Sequence, residues 1–84
     1  MAKIIARRIA YAARVFLKTS ANNWDPISMN PIGDDSYEAK ALIHNGDQYG
    51  FLIIFNGGMQ KWVRDFSNPN FVPSGVGNGY NSIF

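Results

Sequence analysis

Residues Gln48–Phe55, reading QYGFLIIF, restrict the fold more than any other stretch of this chain. Tyr49, Phe51, Ile53 and Phe55 alternate with Gly50, Leu52 and Ile54, so both sets are apolar or small. The run is rich in β-branched and aromatic residues and too short for a buried helix. A strand that is greasy on both sides belongs in the middle of a sheet, covered on both faces. The rest of the chain must therefore supply neighbouring strands on either edge and a layer to pack on them.

The flanks predict those neighbours. Asn45-Gly46 lies just before the run and is the strongest short hairpin signal, which pairs Ser36–His44 with Gln48–Phe55. The implied register sets Ile43 against Gln48, Ala41 against Gly50, Ala39 against Leu52 and Tyr37 against Ile54. Asn56-Gly57-Gly58 then turns the chain into a third strand, Met59–Phe66. Its register depends on whether that turn has two residues or three with a bulge.

Residues 3–19 read as a helix. Ala, Ile, Arg, Leu and Lys dominate, with neither Gly nor Pro. At about 100° per residue, Ile5, Ile9, Ala12, Ala13 and Phe16 share one face, and Lys3, Arg7, Tyr11, Arg14 and Lys18 form a stripe opposite. Residues 20–35 hold the breakers Asn22-Asn23, Asp25-Pro26, Asn30-Pro31 and Gly33-Asp34, and read as a long loop with Trp24, Ile27, Met29 and Ile32 tucked in. Residues 67–84 lose all charge, and their Pro and Gly exclude a helix. Yet Phe71, Val72, Val76, Tyr80, Ile83 and Phe84 recur there, unlike a disordered tail. The predicted architecture is one α+β domain over 1–84: an N-terminal helix on a three-stranded antiparallel meander (36–66), with an irregular Gly/Pro/Asn-rich tail.

Charge is polarised. Every charged residue in the first 24 positions is basic, giving +5, whereas the rest of the chain carries three cations against six carboxylates, a net −3. The stripe is thus the first candidate contact surface, suited to an acidic or nucleic-acid-binding protein partner. Cations flanking Tyr11 also suit phosphates and a stacked base. Tyr49 and Phe51 on the central strand, with Phe71, Tyr80 and Phe84 in the tail, are secondary contact candidates. Tyr49, Phe51 and Phe55 resemble a base-stacking sheet face only in outline, because no RNP1-like pattern is present.

Other chemistry is sparsely supported. There is no Cys and one His, His44, which removes disulfides, thiolate sites and multi-histidine metal sites. His44 and Asp47 suggest a dyad, with Ser28 or Ser36 as nucleophile, but a polar pair at a hairpin end explains them. Asp34-Asp35, near Glu38 and with Asp25 upstream, has turn-forming character without calcium-loop spacing. Gly75-Val76-Gly77-Asn78-Gly79 lacks the Gly-Lys-Ser/Thr and the following helix of a phosphate loop. No cofactor or metal is implied.

Ala2–Ala21 has the Arg-rich, acid-free composition of an organelle presequence, and Arg7-Arg8 raises a twin-arginine signal. No clean apolar stretch follows, so the segment is expected to be retained. No apolar run approaches the roughly 20 residues that span a bilayer. The absence of Cys points to the cytoplasm. The expected function is a non-enzymatic interaction protein that docks its partner through the basic helix face, in the style of small inhibitors or accessory proteins of viruses and mobile elements. Two alternatives stand beside it: direct nucleic-acid binding, and a structural subunit joined to a neighbouring copy through its aromatic tail.

Overall fold

The central-strand expectation for Gln48–Phe55 holds, but the layers around it are all β. The structure, a computed structural model, describes residues 1–77 and 79–84. Its strands are β1 (Ala2–Ala6), β2 (Ala12–Thr19), β3 (Ile27–Ser28), β4 (Asn30–Gly33), β5 (Ser36–Ala41), β6 (Gln48–Phe55), β7 (Gln60–Val63), β8 (Phe71–Pro73) and β9 (Tyr80–Ile83). One 3-10 turn, Ser20–Asn22, follows β2. The strands form two antiparallel sheets, β1-β5-β4 and β3-β2-β6-β9-β8, with β7 also paired to β6.

Strand β6 is the hub of the larger sheet. Its residues 49–55 pair with β2, through partners such as Leu17–Phe51 and Thr19–Tyr49. Its other edge is shared: β7 covers Phe51–Ile54 and β9 covers Gln48–Tyr49. The β6–β7 turn is the three-residue form. Phe55 N–H donates to Met59 O at 2.8 Å and Gly58 N–H to Phe55 O at 2.8 Å. Gly58 sits at φ 90, the left-handed position that a bulged hairpin of this length requires.

The predicted helix over 3–19 is not formed, and with it the α+β class and the basic helix face are corrected. The segment makes β1 and β2 instead. Its buried residues alternate: Ile4 and Ala6 in β1, then Val15, Leu17 and Thr19 in β2. That period of two sends Arg14, Phe16 and Lys18 outward. Of the supposed apolar helix face, Ile9 is buried, whereas Ile5, Ala12, Ala13 and Phe16 are all at least partly exposed. Helix propensity spans well under 1 kcal/mol per residue for such side chains. Burying a Leu or Phe against a central strand is worth roughly 1.5–3 kcal/mol, so the pairing with β6 decides.

The predicted hairpin between 36–44 and 48–55 is also replaced. Strand β5 pairs with β1, Ala41 opposite Ala2 and Ala39 opposite Ile4, and ends before Asn45-Gly46. That dipeptide does form a tight turn, with Asp47 N–H donating to His44 O at 3.0 Å. Gly46 has φ 94, but Asn45 is absent from the positive-φ residues. Positive φ at the second central residue alone fits a type II turn, not the type I′ turn that folds strands back on themselves. The chain therefore leaves one sheet here and enters the other.

The I′ geometry lies in the stretch expected to be a loop. Asp34 and Asp35 have φ 52 and 55 and join β4 to β5, with Gly33 opposite Ser36. Residues 20–35 thus hold β3 and β4, and the chain changes sheet at Met29, whose N–H bonds Val15 O at 2.9 Å. A third change, over residues 7–11, links β1 to β2 through Arg8 at φ 60 and Tyr11 at φ 63. Corners where the chain switches sheet are how small two-sheet folds close. The inward residues of both sheets meet in one cluster that includes Ile4, Val15, Leu17, Met29, Ala41, Phe51 and Ile53. The tail joins the same body as β8 and β9, its Asn81 and Ser82 buried.

Candidate binding cleft

The first sheet change brings the Arg7-Arg8 pair to the end of β6 and β7, where a cleft of about 650 Å³ opens. Four cations line it: Arg7 and Arg8 from the crossing, Lys61 from β7 and Arg64 from just beyond that strand. Apolar side chains line the interior, among them Ile9, Ile53, Phe55 and Val63. Register explains the floor. Ile53 opposes Lys61 and Phe51 opposes Val63, so these side chains share the inward face of the larger sheet. No residue of β1, β4 or β5 lines the cleft.

Its charge is unbalanced. Among the described residues the ion pairs within 4.0 Å are Lys3–Glu38 and His44–Asp47, so none of the four rim cations is matched. Asp65 is the one carboxylate among the lining residues, and its oxygens are committed. One accepts from Tyr49 Oη at 2.8 Å, the other from Ser67 N–H at 3.0 Å and Ser67 Oγ at 2.6 Å. The Arg64 guanidinium lies 3.9 Å from the Phe71 ring centre and 4.6 Å from that of Phe66. Cation–π contact on two sides holds its charge at the mouth. Phe66 is 75% exposed there, an unusual position for so large an apolar ring.

The five stripe residues are not gathered together. Lys3 faces Glu38 at 3.8 Å across β1–β5. Tyr11 is 82% exposed on the first crossing. Arg14 lies over the Phe16 ring at 4.7 Å on the outer face of β2. Lys18 follows on that outer face, beside Trp24 and Trp62. Of the five, Arg7 alone lines the cleft. Tyr49 and Phe51 are core residues, 3% and 2% exposed, and of the two only Phe51 reaches the cleft, as part of its floor. Phe71, Tyr80 and Phe84 are partly exposed. Phe71 stacks edge-on with Tyr80 at 5.4 Å, and Phe84 with Tyr49 at 6.4 Å.

Sequence reasoning missed Arg8, Lys61, Arg64 and Phe66 as a group. Lys61 and Val63 alternate in phase with Phe51 and Ile53, but that phase appears only once the three-residue turn fixes the register. The other candidates resolve into structure-forming roles. Asp47 accepts the His44 backbone N–H at 2.8 Å, and Ser36 Oγ bonds Asp34 O, so Asp47 braces its turn. Among the described residues no three His, Asp or Glu side chains group as metal ligands, and no helix is long and apolar enough to cross a membrane. No family model matches the chain, and no curated protein resembles it at a meaningful level.

Proposed function

We propose that the chain is a non-enzymatic binding protein whose cleft takes a short acidic segment of a protein partner, with an apolar side chain of that segment seated on the floor. The observation that carries this reading is the set of four unmatched cations around an apolar interior. Focused positive potential recruits an anionic segment, and the apolar floor supplies a pocket for an anchor residue. The cysteine-free composition supports a cytoplasmic setting.

Single-stranded nucleic acid is the second reading, favoured by Arg64 between two rings and by exposed Phe66. Two features weigh against it. Asp65 places a carboxylate inside the cleft. The Asp34-Asp35 turn abuts the first crossing, since Ile9 N–H donates to Asp35 O at 2.8 Å. A long phosphate backbone would pass Asp65 and run on to the Asp34-Asp35 turn, whereas a short segment seats its apolar anchor beside Asp65 and ends before that turn.

The test is fluorescence anisotropy with a labelled Asp/Glu-rich peptide carrying one central Phe, beside an oligothymidylate of equal length. The peptide is expected to bind more tightly, and an Arg7→Glu/Lys61→Glu double variant to lose about tenfold or more in affinity. Its melting temperature should change little, since both side chains are exposed. Unchanged peptide affinity in the double variant sinks the proposal, and tighter binding of the oligonucleotide hands it to the second reading.

A further inference from the structure

The outer face of β6 carries a second concavity, on the opposite side of the sheet from the cleft. It is a groove of about 580 Å³ whose lining includes Lys18, Trp24, Gln48, Trp62 and Asn81. That volume lies in the range of small-ligand sites. Trp24 and Trp62 meet edge to face, 6.4 Å between ring centres and 68° between planes, so they form two walls of an angle.

Both rings are deliberately placed. Trp62 lies on Gly50, where any added Cβ would come 2.3 Å from the indole, so only glycine lets the ring lie flat there. Its indole N–H is shared between Tyr80 O at 3.0 Å and Asn81 Oδ1 at 3.1 Å, which fixes the ring's rotation. Trp24 occupies the left-handed region at φ 65, a conformation that is costly for a bulky side chain. Strain held by the surrounding structure is a recurrent mark of functional positions.

The polar groups around the rings are mismatched in one direction. Gln48 Oε1 accepts from Asn81 Nδ2 at 3.1 Å, but among the described residues neither the Gln48 amide N–H groups nor the Trp24 indole N–H has an acceptor. Among the described residues Lys18 has no carboxylate within 4.0 Å, and none lines the groove. The groove therefore offers unspent donors, one cation and two apolar ring faces. Its complement is a compact ligand with a flat apolar side, many acceptors and negative charge.

We propose that this groove binds an acidic saccharide. A pyranose ring lays its C–H face on an indole, its ring and hydroxyl oxygens accept from the Gln48 amide and Trp24 N–H, and a uronic carboxylate pairs with Lys18. A proline-rich peptide also uses aromatic grooves but brings no charge for Lys18. A nucleotide brings a stackable base, yet it gathers its charge on one phosphate group against a single cation, whereas a uronic saccharide carries one charge per ring and sets a single carboxylate against Lys18.

Trp24 and Trp62 are the chain's two tryptophans, so intrinsic fluorescence reports this groove directly in the intact protein. Titration with trigalacturonate should give a saturable change below about 10 mM, roughly tenfold above a millimolar Kd. A galactose trisaccharide should bind more weakly. Lys18→Gln should weaken the acidic sugar by about two- to fivefold and leave the neutral one unchanged. Trp24→Ala should abolish the response with the circular dichroism of the β-sheets retained, and the Gln48 side-chain amide should shift in NMR spectra on binding. An absent response to trigalacturonate, equal binding of the two sugars, or tighter binding of a proline-rich peptide or an oligothymidylate overturns the proposal.

Discussion

Tyr49 shows how one buried polar atom ties the tail to the hub strand. Its hydroxyl donates to Asp65 Oδ2 at 2.8 Å and accepts from Asn68 Nδ2 at 3.1 Å, while Asn68 Nδ2 also donates to Ile83 O at 2.8 Å. Burial, and then the neighbouring Asp65 carboxylate, push the phenol's pKa up to about 12 from 10.0. The consequence has a definite sign. Below pH 10 the phenol is protonated in folded and unfolded chains alike. Between about 10 and 12 the unfolded chain releases this proton and the folded one keeps it, so stability falls as pH rises. Two pKa units correspond to roughly 2–3 kcal/mol. Urea unfolding from about pH 9 to about pH 12 should show that loss in the wild type and lack it in Tyr49→Phe, which itself should be weaker at neutral pH by about 1 kcal/mol for the missing hydrogen bond. Identical pH slopes in the two proteins would refute the assignment.

Strand β2 shows which parts of the fold were legible in the sequence. The hub strand was, because QYGFLIIF admits one environment, and so was the turn after it. The first 19 residues were not, because two periods fit them. A helical period gathers Ile5, Ile9, Ala12, Ala13 and Phe16, and a period of two gathers Val15, Leu17 and Thr19. Alanine, arginine and leucine favour the helix locally, and the pairing that overrides them comes from residues 49–55. Asn45-Gly46 misled for a related reason: the dipeptide specifies a turn, but the φ of Asn45 determines whether the strands fold back or part. The cleft shared this obscurity, since Arg7, Lys61 and Arg64 meet only through a sheet change and a register that lie far apart in sequence. The two periods make opposite forecasts. Leu17 is fully buried whereas Phe16 faces outward, so Leu17→Ala should cost about 2–5 kcal/mol and Phe16→Ala clearly less. Chemical denaturation of the two variants decides between them, and the reverse order would favour the helix.

At the scale of the molecule, the tail is structural before it is anything else. Strand β9 covers the edge of β6 at Gln48 and Tyr49. Ser82 Oγ accepts Asp65 N–H at 2.7 Å, and Gly46 N–H donates to Phe84 O at 3.0 Å. Removing residues 67–84 would strip β6 of that edge, strand the Trp62 indole and Asp65 amide donors, and open Tyr49 to water. Each lost partner of a buried group costs about 1–3 kcal/mol, and a small domain has only about 5–15 kcal/mol in all. A chain cut after Phe66 should therefore lose its cooperative thermal transition and elute as an expanded or aggregated species. A tail that served only to join copies would leave a compact, sharply melting monomer after the same cut, and that result would overturn the structural role. Phe71→Ala separates folding from binding more gently. It leaves the β9–β6 pairing in place but removes the ring nearest the Arg64 guanidinium. The variant should keep its melting transition, and its affinity for an acidic peptide should fall by about two- to fivefold, as expected when a cation at a partly exposed site is no longer held in position.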